Sequence, residues 1–358
     1  MPRSRKRLLT GALLLCAVPV LVMVLRIGLE WRQALLNLNA MIVTPVALPT
    51  FTLPTVQPTS QTAAAHAGNA RDITTRPTTG PTALPNLSKS QVNILLLGTD
   101  ARPAEQDPTR TDAMVLVNIN RDQQRINVLS FPRDLWVTYP NNGDGRINAA
   151  FPLGERQFGV GGGAALAKAT VANLVGLPID YFVLVNFQGF RGLIDYLNGI
   201  TVAVPKTIHD DTFPTDDYGI KTIHFDAGLQ QMDGEQALIY ARTRHADSDF
   251  GRIQRQQLVL MAIFNRIRDR GLLQQITSFD DYTGALRDYV RTDMSASVML
   301  ELASWGRNLK SDDIQRFAID SRAIVMLNSP ATFAADPRAL HRIVAQFTDE
   351  PISSVGNE

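Results

Sequence analysis

The sequence predicts an α/β domain with a mixed, partly antiparallel sheet, carried behind one membrane-spanning helix. Three observations point there. Residues 8–25 hold no charge and follow Arg5-Lys6-Arg7. Three short apolar runs, 92–97, 113–119 and 126–131, stand close together and end in turn residues. Ile253, Leu260, Ile263, Phe264 and Ile267 recur at the spacing of one helix face.

At 358 residues and 45% hydrophobic content the chain can bury one large core or two ordinary ones. Its net charge of +1 is unevenly placed. Arg3, Arg5, Lys6, Arg7, Arg26 and Arg32 face only Glu30 within residues 1–32, so that stretch carries +5 and the remainder −4. A mildly acidic body offers no broad attraction to nucleic acid, and an arginine cluster within it serves a local purpose. Cys16 is the one cysteine, which excludes an intramolecular disulfide and a cysteine-based zinc site.

The 18 residues from 8 to 25 nearly span a hydrocarbon core of about 30 Å at about 1.5 Å per residue. Basic residues before them favour a cytoplasmic N-terminus with the rest of the chain outside. A cleaved signal peptide is the alternative, but no small-x-small site follows Leu25; nor does a small residue precede Cys16, as lipoprotein acylation would want. From 43 to 85 the chain is rich in Thr, Pro and Ala, with too few large apolar residues to offset ordering entropy. The expected organisation is a basic tail over 1–7, a membrane helix over 8–25, a juxtamembrane segment and disordered Pro/Thr-rich linker over 26–90, and an extracytoplasmic domain over 91–350. On this reading the linker is a tether that lets the domain work away from the bilayer. No internal repeat is visible.

The run 92–97 ends at Gly98 with Asp100 following; Arg110-Thr111-Asp112 opens the second run, and Pro132-Arg133-Asp134 closes the third. An antiparallel meander is the simplest arrangement for such runs, and it gathers Asp100, Arg110, Asp112, Arg133 and Asp134 at one rim. Two carboxylates beside arginines suit Mg²⁺, which takes one or two carboxylates and completes its shell with water and phosphate oxygens. Arginine's planar fork grips the same oxygens. Taken alone, each Asp reads as an ordinary turn or strand-cap residue neutralised by Arg102 or Arg110; it is their convergence with the arginines of the later segment that points to a site.

Asp233 is placed to cap a helix that runs into Arg242-Thr243-Arg244-His245. A second helix follows with Arg252, Arg255 and Gln256 on one face of its first turn, where the helix dipole disfavours cations by about 0.3–1 kcal/mol each. Those arginines call for an anion; Asp249 supplies part of it as a cap, and free N–H groups at a helix start favour phosphate. A salt-bridged entry turn is the structural alternative. The tract Gly159-Val160-Gly161-Gly162-Gly163 lacks the Gly-Lys-Ser/Thr ending of a nucleotide loop and is expected to be a flexible helix entry near Ala164. His209, His224, His245 and His341 show no metal-ligand spacing, and no chemistry is readable beyond about residue 271.

Leu97-Gly98-Thr99-Asp100, Arg110-Thr111-Asp112, Phe131-Pro132-Arg133-Asp134, Arg146-Ile147-Asn148, Gly234-Glu235-Gln236-Ala237-Leu238, Arg242-Thr243-Arg244 and Arg252-Ile253-Gln254-Arg255-Gln256 stand in an order that resembles the LytR-CpsA-Psr family. The resemblance covers residues 92 to about 270 and includes Ile179-Asp180-Tyr181-Phe182-Val183 and Gly199-Ile200-Thr201-Val202. It implies a three-layer α/β/α sandwich that accommodates a polyprenyl tail. It further implies Mg²⁺-dependent (alternatively Mn²⁺-dependent) transfer of a phosphate-linked glycopolymer from a polyprenyl diphosphate carrier to peptidoglycan. By motif, Asp100 and Asp112 match the metal-binding aspartates, and Arg110, Arg133, Arg242, Arg244, Arg252, Arg255 and Gln256 the pyrophosphate set. Asp249 matches the acid that orients or deprotonates the acceptor hydroxyl, so Asp249, Arg110 and Arg133 are the candidate catalytic residues. One departure is Arg146, where the family commonly has Lys. A diphosphate hydrolase and a non-catalytic wall-binding or regulatory protein are the alternative readings.

Overall fold

Apolar runs become strands where they can pair. In the computed structural model, β1 (Gln91–Thr99), β2 (Thr111–Asn120) and β3 (Arg125–Phe131) form the expected antiparallel meander, with Leu95 facing Leu116 and Leu116 facing Leu129. All three leucines are fully buried, and burying such a side chain stabilises by about 1.5–3 kcal/mol. The structure describes residues 33, 35–44, 46, 48, 90–100, 109–140, 143–215, 219–244, 249–269, 287–327 and 332–349. The expected membrane helix at 8–25 and most of the expected linker lie outside these, and among the described residues no helix is long and apolar enough to cross a membrane.

After the meander come the hairpin β4 (Trp136–Tyr139) and β5 (Gly143–Arg146), then α1 (Ala150–Phe158) and α2 (Gly162–Val175). β6 (Tyr181–Asn186) pairs parallel with β1 and leads into α3 (Phe187–Tyr196), capped by the Asn186 side chain. β7 (Ile200–Val204), β8 (Ile208–Pro214), β9 (Ile220–Phe225) and β10 (Gly228–Met232) form two ribbons, β7 with β10 and β8 with β9. Then follow α4 (Gly234–Arg242) and α5 (Asp249–Asp269). The C-terminal part supplies β11 (Val290–Thr292), α6 (Ala296–Gly306), β12 (Ile314–Ala318), the hairpin β13 (Ile324–Met326) and β14 (Phe333–Ala335), and α7 (Pro337–Phe347).

The main sheet has the order β11-β6-β1-β2-β3-β12, with β12 parallel to β3 and β11 antiparallel to β6. Residues past 271, silent in sequence, thus close both edges. Alternation splits the sheet into two faces. Leu95, Leu97, Met114 and Phe131 pack under α1, α2 and α7, whereas Val92, Ile94 and Ile119 pack with Met294 and Val298 at the start of α6. On that second face α5 is pinned across the sheet by Gln257, whose Nε2 donates to Ser130 Oγ (3.0 Å) and Phe317 O (2.8 Å). The result is the mixed-sheet α/β/α sandwich.

The glycine tract is a helix entry, as expected. Gly161 takes φ +90°, and Glu155 Oε1 accepts from the N–H groups of Gly161 and Gly163, both at 3.0 Å, so a carboxylate already sits where a nucleotide phosphate would. Gly154 touches the same place: a Cβ there would fall 2.4 Å from Gly162 O, which fixes how closely α1 and α2 approach.

The juxtamembrane segment does not stand apart. A helical stretch over 35–40 buries Leu38, and Met41 beyond it, against Leu193, Val290 and Met299. Met41 O then accepts from Thr292 N (2.9 Å) and Val43 N donates to Thr292 O (2.8 Å). Two apolar side chains and an open strand edge explain this docking, which the proline content of the following stretch concealed.

Candidate functional site

Between Gly98 and Thr99 the β1–β2 register shifts, so that Gly98 faces Ala113 but Thr99 faces Thr111. Asp112 is the extra residue of this bulge, and a bulge re-aims the side chain it carries. Its Oδ1 accepts from Arg133 Nη1 at 2.7 Å. Asp100 follows β1 directly, half-buried, and Arg110 precedes β2, exposed. Asp134 lies 3.6 Å from Arg133 Nε and 3.3 Å from Arg146 Nη1. The rim expected from the meander is therefore present. It offers two carboxylates, Asp100 and Asp112, as oxygen donors, and among the described residues no cluster of three or more His, Cys, Asp or Glu forms. A divalent ion here would draw its other oxygens from water and phosphate, as Mg²⁺ does.

The second half of the site comes from the α4–α5 junction. Asp233 caps α4 as expected, accepting from Gln236 N, while the Gln236 side chain returns to Asp233 N. Arg242 at the end of α4 lies over Phe187 at 4.5 Å and Phe213 at 5.5 Å from the ring centroids. Arg244 stands two residues on, exposed. Between them Thr243 is buried and donates to Asp210 Oδ2 at 2.6 Å. Asp210, 2% exposed on β8, also accepts from Thr212. No sequence motif marked Asp210, Phe187 or Phe213. The available signal for Asp210 was a carboxylate sharing the inward face of β8 with Ile208.

Asp249 opens α5, and its Oδ1 lies 2.6 Å from Arg252 Nη2. Burial raises the Asp249 pKa above its ordinary value, although Arg252 and Arg133 oppose it. Burial likewise lowers Arg252, against the pull of Asp249. Burial alone would lower Arg133 as well, yet Asp112, by charge and hydrogen bond, with Asp134 and Asp249 behind it, carries that guanidinium above its ordinary value. Arg133 Nε and Arg252 Nε are buried donors with no hydrogen-bond partner among the described residues, the kind of atoms a phosphate oxygen satisfies.

Arg255 is placed differently from its expected company. It is 3% exposed, its Nε donates to Tyr240 O at 3.1 Å and its Nη2 to Thr243 O. It stitches the α4–α5 junction that presents Arg242 and Arg244 rather than lining the cavity beside them. Gln256 does line it, with Nε2 3.4 Å from Ala241 O.

That cavity, of about 360 Å³, lies between the sheet and α3, α4 and α5. Leu96, Val115, Phe190, Leu193, Leu260 and Ile263 form its apolar wall, and Asp112, Arg133, Arg242, Arg244, Arg252 and Gln256 its polar one. It is shaped for an amphiphile with a multiply charged anionic head.

The model of the LytR_cpsA_psr family matches residues 54–348. Over 226 residues the chain is 34% identical to the polyisoprenyl-teichoic acid–peptidoglycan teichoic acid transferase TagT of Bacillus subtilis (strain 168), covering 62% of this chain and 66%, just under two thirds, of that relative. Among solved structures, B. subtilis TagV superposes with a TM-score of 0.57 at 26% identity, over 74% of this chain and 99% of that one. TagT bound to LI-WTA does so with a TM-score of 0.54 at 26% identity, over 73% and 91%. The motifs, the sandwich and the match across most of its length agree: the chain belongs to the LytR-CpsA-Psr family.

Proposed function

We propose that the protein transfers an anionic, phosphate-linked glycopolymer, teichoic acid in the TagT-like case, from a polyprenyl diphosphate carrier to a peptidoglycan hydroxyl. The observation that carries this is the cavity with one apolar wall and one arginine wall, the two halves of a lipid diphosphate in contact. TagT, similar to this chain, is named as a teichoic acid transferase and has been solved with LI-WTA bound.

In the reaction an acceptor oxygen forms a bond to the phosphorus that carries the glycopolymer, and the bond from that phosphorus to the bridging oxygen breaks. Polyprenyl phosphate leaves, and the hydroxyl proton passes to the Asp249 carboxylate, whose buried Oδ2 makes no hydrogen bond among the described residues. Arg133, Arg242, Arg244 and Arg252 hold the non-bridging oxygens and balance their charge, the main task in phosphoryl transfer. Arg110, exposed at the rim, is assigned to the outer face of the diphosphate. Arg255 acts through the loop it pins. Asp100 and Asp112 would hold Mg²⁺, or Mn²⁺, which when bound neutralises charge developing on the phosphate oxygens.

Residues 8–25 serve as a single-pass anchor, with 1–7 cytoplasmic and the domain from 91 to 350 extracytoplasmic. The acidic body beyond residue 32 offers no broad attraction to nucleic acid.

The test incubates the purified protein with lipid-linked teichoic acid and peptidoglycan. A covalent polymer–peptidoglycan product is expected. Release of polyprenyl phosphate without that product would make the protein a hydrolase; neither would defeat the reading.

A further inference from the structure

A second groove, of about 440 Å³, runs along the other side of α5, lined by Phe250, Gln254, Arg316, Arg322 and Arg342 among others. It shares no lining residue with the cavity. Its charge is positive: Asp320 is taken up by Arg322, 2.6 Å from Nη2, whereas Arg316 and Arg342 are exposed and in no ion pair among the described residues. Phe250, next in sequence to Asp249, packs on Phe333 with ring centroids 6.1 Å apart and gives the groove an aromatic edge. Arginine forks, exposed carboxamides of Gln254 and Gln346 and an aromatic edge are together suited to a sugar chain bearing carboxylates.

Helix geometry relates this groove to the cavity. At roughly 100° per residue, Phe250, Ile253, Gln254 and Gln257 form one stripe of α5, and Arg252, Gln256, Val259, Leu260 and Ile263 another about 130° away. Asp249 falls between the two stripes. In-line displacement needs the nucleophile to approach phosphorus from the side opposite the leaving group. A lipid phosphate departing toward the cavity therefore calls for an acceptor on the far side of Asp249, where the groove lies.

We infer that this groove binds the acceptor: a carboxylate-bearing glycan strand, its acidic substituents on Arg316 and Arg342 and a sugar hydroxyl presented to Asp249. The inference rests on the transferase reading above and adds the place of its second substrate.

The test compares the full-length protein in detergent with its Arg316→Glu/Arg342→Glu and Arg316→Lys/Arg342→Lys variants. Soluble peptidoglycan fragments with free carboxylates are the acceptor and lipid-linked teichoic acid the donor. Charge reversal is expected to raise the acceptor KM by roughly tenfold or more and leave the donor KM and donor cleavage by water unchanged, with much of the loss recovered by the Lys pair. Fragments with amidated carboxylates should not respond to the reversal. An unchanged acceptor KM overturns the inference, and so does a raised donor KM, which would place the donor's own polymer in the groove. Should the wild type transfer nothing, fragment binding to wild type and variant, measured by calorimetry, still decides: equal affinities overturn it.

Discussion

Arg252 Nη2 lies 2.6 Å from Asp249 Oδ1, three residues apart in the first turn of α5, and both side chains are largely shielded from water. The contact satisfies neither partner fully, since Asp249 Oδ2 and Arg252 Nε remain without hydrogen bonds among the described residues. Burial costs the charged forms more than their attraction returns, and the Asp249 pKa is raised.

A base of raised pKa is ionised only at higher pH, so the transfer rate is expected to rise along an acid limb centred above the ordinary carboxylate value of about 3.9. Asp249→Asn should lower turnover by about 10²–10⁴-fold and flatten that limb. Stability follows the same shift with opposite sign: the folded protein binds this proton more tightly than the unfolded chain, so its contribution is lost as pH rises from the unfolded to the folded value. A pH–rate profile of both proteins checks the first part; an unaltered limb in the Asn variant would remove Asp249 from the chemistry.

Arg242 and Arg244 are expected to reject lysine. Guanidinium grips two phosphate oxygens at once and stacks flat on rings such as Phe187, whereas an ammonium is a compact, strongly hydrated charge. Arg244→Lys and Arg242→Lys should each weaken binding of the lipid diphosphate by about tenfold, roughly 1.4 kcal/mol, with melting temperatures close to wild type. Normal binding by both would show that charge alone suffices there.

Arg255→Lys should fail by another route. Removing the guanidinium leaves the buried carbonyls of Tyr240 and Thr243 underserved, at about 1–3 kcal/mol for each left unsatisfied. Thermal melts are expected to fall by several degrees, with activity lost along with the order of the junction. A variant that melts like wild type yet no longer binds lipid diphosphate would return Arg255 to the phosphate clamp.

At the rim proposed to hold Mg²⁺, Asp100→Asn and Asp112→Asn are expected to raise the Mg²⁺ concentration needed for half-maximal turnover by about 10–100-fold, with the fold unchanged because neither side chain fills the core. Chelation should abolish wild-type activity and added Mg²⁺ restore it. Undiminished turnover in chelator would dissociate both aspartates from any metal.

Local signals were the legible ones. The meander, the Asp233 cap and the helix entry after Gly161 each follow from a few adjacent residues. What escaped reading depends on distant pairings: β12 lies parallel to β3 although nearly two hundred residues separate them, and β11 is three residues long with no alternation to show. Asp210 escaped because its partner, Thr243, is supplied by a different element. Arg255 shares a motif with Arg252 and Gln256, and no spacing rule reveals that Arg255 turns to the carbonyls of Tyr240 and Thr243 while the other two line the cavity.

The docking of Met41 and Val43 on Thr292 alters what the Pro/Thr-rich stretch can do. Both of its ends, residue 43 and Gln91, are fastened to one folded body, so its contour length does not enter the height of the catalytic centre above the bilayer. With residues 8–25 as the anchor, the leash is only residues 26–34 ahead of the helical stretch, nine residues that would reach on the order of 30 Å if fully extended. Deleting residues 55–80 should leave transfer from membrane-embedded donor unchanged, whereas removing six residues from 27–34 should slow it in vesicles but not in detergent, where there is no surface to reach.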